Sequence, residues 1–323
     1  MAAAASGQRT LIIGGAGFVG AHLAARRLAR GDAVHIAVRP TTGLERLGAL
    51  RSSITLHSLT LTDRPAVDAL IAEARPDTIF HLANTDRRQA RDDLSDATLS
   101  ITDDLAGLLA LVAACSVARE PPRVMVRAGS LAEYGPVAAP FVETQREMPT
   151  TGYAAALVAG TCYARMLAPR LPFALVTARL ALIYGPAQSD RFLIPQLITN
   201  CLAGLPTTIQ RPRDRRDLIH VDDAVDGLEM LAAHPTVPLV NIASGHAPTV
   251  VEIAARICGA TGADPGLLQL GPSDAPGGTP LFLGSSKLAR RVLGWSPRTD
   301  MDQGIARTVD WYRDNAVVTG IAA

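Results

Sequence analysis

Glycines at positions 14, 17 and 20, set between a short apolar run and an amphipathic pattern, constrain this chain more than any other feature. Thr10–Ile13 reads as a buried strand and Val19–Arg30 as a helix. A glycine has no Cβ, so at such a turn the backbone can bend tightly, come close to a pyrophosphate and let helix pack on strand. The helix that follows presents unpaired N–H groups and the positive end of its dipole. A glycine-rich turn alone is a weak signal, but the GxxGxxG spacing between strand and helix points to dinucleotide binding.

The alternation continues through the N-terminal half. Ala33–Val38, Ile54–Leu59, Thr78–Leu82 and Arg123–Arg127 read as strands, with helices over Pro65–Ala74 and Leu99–Ala118. Gly31–Asp32 closes the first helix. Strand and helix taking turns implies right-handed βαβ units and an α/β, doubly wound parallel sheet of the Rossmann type. An alanine-rich helix from Tyr153 to about Leu167 and an apolar strand over Phe173–Ile183 extend the pattern. It loosens beyond Tyr184, although Val237–Ile242 reads as one more sheet strand. We therefore expect a dinucleotide-binding Rossmann domain over residues 8–180 plus about 217–243. A smaller, interleaved substrate-binding lobe is expected over about 181–216 and 244–318.

With 323 residues, 48% of them hydrophobic, the chain can bury about 75% of its unfolded surface. Its 31 basic residues balance 30 acidic ones and form no lysine- or arginine-rich run, so neither nucleic acid nor an anionic membrane is an expected partner. No stretch of 18 apolar residues occurs, and MAAAASGQRT lacks the apolar segment of a signal peptide. Cys115, Cys162, Cys201 and Cys258 show no CxxC pair and no metal-ligand spacing. Buried thiols in a reducing cytoplasm are expected, and no metal. Lys287 is the one lysine in the chain. That habit accords with a GC-rich genome, and it nearly excludes chemistry that needs lysine.

The end of the second strand refines the cofactor. NAD-binding proteins place Asp or Glu there for the ribose 2′-OH, whereas arginine suits the 2′-phosphate of NADP. Here Ala33–Val38 runs into Arg39, which favours NADP(H) over NAD(H).

Further segments follow in a set order: Asp77-Thr78-Ile79-Phe80-His81-Leu82-Ala83, Ser130-Leu131-Ala132-Glu133-Tyr134-Gly135, Glu143 ten residues before Tyr153, and Arg179 with Tyr184-Gly185-Pro186. Then come Arg216-Asp217-Leu218-Ile219-His220-Val221-Asp222-Asp223, Asn241 to Gly245, and Ser286-Lys287 leading to Leu293-Gly294-Trp295-Ser296-Pro297. With the Gly14–Gly20 loop, these resemble the extended short-chain dehydrogenase/reductases of the nucleotide-sugar epimerase/dehydratase type, over nearly the whole chain. The resemblance implies that Tyr153 exchanges a proton with the sugar oxygen, that Ser130 hydrogen-bonds the same oxygen, and that Tyr153 also touches the cofactor. It implies cofactor contacts at Gly14, Gly17, Phe18, Val19, Gly20, Leu82 and Ala83. Substrate contacts are expected at Asn84, Glu133, Arg213 and Arg216; the candidates for the substrate's phosphates are Arg211, Arg213, Arg215 and Arg216, of which only Arg216 fills the family's Arg-Asp motif. His220, Asp222 and Asp223 read as capping or supporting residues.

Several positions depart from that pattern. The family places a lysine four residues after its tyrosine, where it binds the nicotinamide ribose and lowers the phenol pKa. This chain has Leu157. A phenol of ordinary pKa, about 10, is a poor base at neutral pH. Thr60, Ile101 and Leu182 replace an aspartate and two asparagines of the pattern, and Leu131-Ala132 stands where 4,6-dehydratases carry Asp-Glu. The expected function is therefore NADP(H)-dependent reduction of a 4-keto (6-deoxy) nucleotide sugar, with the motif at 129–135 most similar to reductases of GDP-4-keto-6-deoxy sugars. Alternatives are an epimerase with bound NAD, and a catalytically impaired NADP-binding member or an engineered variant at Leu157. The resemblance also implies a homodimer formed through the helices at Leu99–Ala118 and Tyr153–Leu167.

Overall fold

The chain passes repeatedly from strand to helix and back. A computed structural model describes residues 7–83, 91–272 and 280–315. Arg9–Ile13 (β1) leads into Phe18–Ala29 (α1), Ala33–Val38 (β2), Thr55–Ser58 (β3), Arg64–Ala74 (α2) and Thr78–His81 (β4). Ser95–Leu99 (α3), a π-helical turn over Ser100–Leu105 and Ala106–Val117 (α4) form one continuous helical stretch. Val124–Ser130 (β5), Gly152–Leu167 (α5), Ala174–Leu180 (β6) and Leu182–Tyr184 (β7) follow. After Leu193–Leu202 (α6) come Thr207–Ile209 (β8), Arg215–Arg216 (β9), Leu218–His220 (β10), Val221–Ala233 (α7) and Leu239–Ile242 (β11). Val250–Thr261 (α8), Leu268–Leu270 (β12), Leu281–Phe282 (β13), Lys287–Leu293 (α9) and Met301–Asp314 (α10) complete the described chain.

Among the described residues seven strands form one sheet in the order β11-β6-β5-β4-β1-β2-β3, with β1–β2, β2–β3, β1–β4 and β4–β5 paired in parallel. This is the doubly wound Rossmann order. The chain winds outward from β1 to β3, then crosses back to β4 and winds the other way, so the carboxyl ends of β1 and β4 flank a topological switch point. The central strands β1, β4 and β5 are buried on both faces, as parallel sheets require, whereas the edge strand β3 is largely exposed.

Two elements differ from the sequence expectation. The helix expected over Leu99–Ala118 begins earlier, at Ser95, and the polar run Thr102-Asp103-Asp104, which interrupts the apolar periodicity, is carried through it as a π-type turn. That helical stretch, Ser95–Val117, is long and apolar enough to cross a membrane by length and composition. Leu108, Leu111, Val112, Ala114 and Cys115 are instead spent in a core with Leu11, Ile13, Val67 and Leu70. The strand expected over Phe173–Ile183 splits at Ala181. The Ala181 N–H bonds to Ile242, whereas the Leu182 N–H bonds to Asp217, so β7 leaves the sheet and pairs with β10.

The chain groups into two compact units: Met1–Val137 with Gln145–Arg179 and Gly227–Val240, and Ala138–Thr144 with Leu180–Asp226 and Asn241–Ala323. In the second, α6, α8 and α10 close over a core that includes Leu197, Ile198, Ile253, Ile257, Ile305 and Val309. Thr249 and Glu252 start α8 with a capping box.

Candidate active site

A cavity of ≈ 330 Å³ opens in the first unit, walled by Ile13, Gly14 and Gly17 after β1, Arg39 after β2, and His81, Leu82 and Ala83 at the end of β4. It occupies the switch point, where ligands bind in open α/β sheets. Gly14 has φ +81°, and a Cβ there would lie 2.9 Å from the Ala83 nitrogen. A Cβ at Gly20 would lie 2.4 Å from the Gly14 carbonyl oxygen. Both positions therefore require glycine, one for the turn and one for the packing of α1 on the loop. Gly17 caps α1 in extended conformation with no side chain to occupy the first N–H groups. Phe18 and Val19 are the first two residues of α1, and the Phe18 ring packs edge-on against His22. What these two residues offer an anion is their backbone N–H. The loop, the uncapped helix start and the cavity together fit the pyrophosphate of a dinucleotide.

Arg39 is exposed at the cavity wall, and Thr60, just after β3, lines the same cavity. Neither Asp103 nor Asp104 figured among the expected site residues, yet both line this cavity. The π-type turn directs them toward it. His81 is buried, and neither ring nitrogen meets a partner among the described residues. Burial, reinforced by the Arg127 charge, pushes its pKa down to about 4, so the ring is neutral at pH 7.

Ser130 ends β5, and Tyr153 is the second residue of α5, which packs on that strand. The Ser130 hydroxyl accepts from the Ala132 N–H at 3.1 Å, which leaves its own O–H available to donate. Thr151 caps α5 by accepting from Ala154 N–H at 3.1 Å and so sets where Tyr153 enters the helix.

The expectation that Glu133 contacts substrate is corrected by its surroundings. The residue is wholly buried, and Oε1 accepts from the Ser130 N–H at 3.1 Å. Its Oε2 takes the Thr161 hydroxyl at 2.9 Å and Arg179 Nε at 2.9 Å. With its oxygens committed, Glu133 positions Ser130 and neutralises Arg179. Burial works against the Arg179 charge, but Glu133 and then Glu147 outweigh it and hold that guanidinium above its ordinary pKa. The Arg179 guanidinium also lies 4.5 Å from the Tyr134 ring centre.

In the second unit Arg216 is half-buried and its Nη2 pairs with Asp214 at 2.5 Å, while Arg213 is exposed. Asp217, one residue on, is fully buried and accepts from the N–H groups of Ser244, Gly245 and Gly284, which ties three loops together. Burial raises its pKa despite those bonds. His220 and Asp222 engage Arg307, and Asp223 accepts from the Arg298 and Thr299 N–H groups, so these contacts brace the segment that leads into α10. Glu143 accepts from the Asn241 N–H. Asn84 lies outside the described residues.

A sequence model of the NAD dependent epimerase/dehydratase family matches residues 10–243. The UDP-glucose 4-epimerase of Mycolicibacterium smegmatis is 32% identical over 333 residues, covering 95% of this chain and 99% of its own. A dTDP-glucose 4,6-dehydratase of Neisseria gonorrhoeae is 26% identical over 350 residues, covering 94% and 95%. Among solved structures, the UDP-glucose 4-epimerase of Thermus thermophilus in complex with NAD matches with a TM-score of 0.79 at 26% identity, covering 94% of this chain and 98% of that one. The UDP-glucose 4-epimerase of Thermotoga maritima, solved with UDP-glucose, reaches 0.85 at 23% identity, covering 95% and 99%, a likeness of fold. Since the family match runs from β1 through β11, across the whole sheet that builds the cavity, this chain belongs to the NAD-dependent epimerase/dehydratase family, within the extended short-chain dehydrogenase/reductases.

Proposed function

We propose that the protein is an NADP(H)-dependent oxidoreductase that reduces the ketone of a nucleotide-activated 4-keto (6-deoxy) sugar. The observation that carries this reading is Arg39 in the cavity wall, where a carboxylate would favour NAD. A guanidinium can grip a 2′-phosphate with paired donors. When bound, the nicotinamide supplies the hydride that the sugar carbon receives. Tyr153 donates its phenolic proton to the oxygen of that carbon, and the Ser130 O–H steadies the same oxygen as negative charge develops on it. Leu131 is fully buried and Ala132 has no ionisable group, so neither can serve as the acid or base of a dehydration. We assign the substrate's phosphates to Arg213 and Arg216, and a further substrate contact to Asn84.

A second reading, a 4-epimerase that keeps NAD bound, is favoured by the 32% identity to the Mycolicibacterium enzyme. One experiment separates the two. The purified protein is given NADPH with 4-keto-6-deoxy nucleotide sugars, and separately UDP-glucose without added cofactor. Loss of the reduced nicotinamide's near-ultraviolet absorbance supports reduction, whereas formation of the C4 epimer without net cofactor use supports epimerisation. Turnover in neither arm by a protein that binds cofactor would overturn both.

We further propose a homodimer that buries the exposed Leu99, Ile101, Tyr163 and Met166 on the helical stretch Ser95–Val117 and on α5, and a cytoplasmic location suited to four free cysteines. Sedimentation equilibrium at the mass of a single 33.9 kDa chain would exclude the dimer.

A further inference from the structure

Arg127 is a charged residue in the middle of β5, an otherwise apolar central strand, and it is almost completely buried. Its guanidinium lies under α5. Nη2 donates to the Leu157 carbonyl at 2.8 Å and Nη1 to the Thr161 hydroxyl at 3.1 Å. These two acceptors sit one and two turns beyond Tyr153 on the same helix. The helix is shaped for this guest, because a Cβ at Gly160 would lie 2.6 Å from Nη2 and 2.8 Å from Cζ. Leu157 itself is buried and brings no charge.

We propose that Arg127 is a positioning residue for Tyr153, supplying from the strand beneath α5 the positive charge that position 157 of the helix lacks. This rests on the reading of Tyr153 as the proton donor. The charged and titratable groups around the guanidinium are Tyr153 on α5, Glu133 after β5, Arg179 on β6 and His81 on β4, its register partner. Of these, His81 is held neutral by burial. Glu133 is shared, since it already pairs with Arg179 at 2.8 Å. Arg179 in turn pairs with Glu147. Burial holds the Arg127 pKa below its ordinary value, opposed first by Glu133 and then by Tyr153, so attraction between the guanidinium and Tyr153 is part of its electrostatic environment. The same chain of bonds runs from Arg127 through Thr161 to Glu133 and on to the Ser130 N–H. One buried network thus fixes both the helix that carries Tyr153 and the strand end that carries Ser130.

Arginine suits this buried place beneath α5. It stays charged when buried, and its fork reaches two acceptors on one helix while keeping donors to spare. A cation beside a phenol favours the phenolate and lowers the pH at which the proton leaves.

The test is a spectrophotometric titration of tyrosinate absorbance, with Tyr153 isolated as the difference between the parent and Tyr153→Phe. In Arg127→Met the Tyr153 transition should move up by about one pH unit or more. In Arg127→Lys it should stay near the parent, and Leu157→Lys added to Arg127→Met should bring it back. An unchanged transition in a folded Arg127→Met protein overturns the proposal. If that variant does not fold, the parent decides: a Tyr153 transition below the ordinary value of about 10 supports the proposal, and one at or above it overturns it. The readout needs neither sugar nor cofactor, so its failure leaves the reductase reading standing, and absence of turnover leaves this result standing.

Discussion

Gly20 has no room for a side chain, since a Cβ would sit 2.4 Å from the Gly14 carbonyl and 2.7 Å from the Gly15 Cα, both backbone atoms that cannot swing aside. Gly20→Ala should therefore displace the loop, costing about 1–3 kcal/mol in stability. Cofactor affinity should fall roughly tenfold or more, as read by thermal unfolding and by fluorescence titration with NADPH. Arg39 makes the opposite kind of prediction, because it is exposed and supports no packing. Arg39→Ala should leave stability and NADH affinity unchanged while weakening NADPH roughly 10- to 100-fold, the worth of a hydrogen bond to a charged group. Equal affinity loss for both nucleotides would remove the case for a 2′-phosphate contact. The glycine spacing and the arginine after β2 were both legible in the sequence, because they are local properties.

At the scale of elements, β5, α5 and β6 are held by charges in the interior, and this the sequence did not announce. Arg127 was the available signal: a charge inside Val-Met-Val-Arg-Ala-Gly-Ser cannot remain buried without partners. Those partners are 30 and 34 residues away in Leu157 and Thr161, and the Glu133–Arg179 pair spans 46 residues. Local pattern cannot supply such pairings. Glu133→Ala should cost about 3–5 kcal/mol, because it strands Arg179 in the interior and removes the Ser130 cap. The midpoint of urea unfolding measures this. A loss below about 1 kcal/mol would show that Arg179 finds its compensation in Glu147 alone.

For the molecule as a whole, buried titratable groups set how stability depends on pH. His81 has a folded pKa of about 4 against about 6.5 when unfolded. Between those values the unfolded chain binds more protons, so stability is full above about pH 6.5 and falls as the pH drops toward about 4, by up to about 3 kcal/mol from this group. His35, pushed down by burial and by His57, adds in the same direction. Asp217, pushed up by burial, works the other way as it protonates. The His81 share is the difference between the parent and His81→Phe in urea midpoints measured from about pH 7 to about pH 4. The variant should show the flatter curve, and parallel curves would mean that His81 is hydrated.

The sequence by itself determined the strand–helix alternation, the glycine cradle at the end of β1, the arginine ending β2, and the places of Ser130 at a strand end and Tyr153 at a helix start. Each of these is written in neighbouring residues whose backbone preferences and spacing act within a turn or two. Only the tertiary structure decided that Asp103 and Asp104 turn into the cavity, that the strand expected over Phe173–Ile183 divides at Ala181, and that Glu133 is sealed inside. It also decided where a buried positive charge meets α5. A charge acts through space, and the fold brings β5 beneath α5, so the cation missing from position 157 of the helix has its counterpart in Arg127 on the strand.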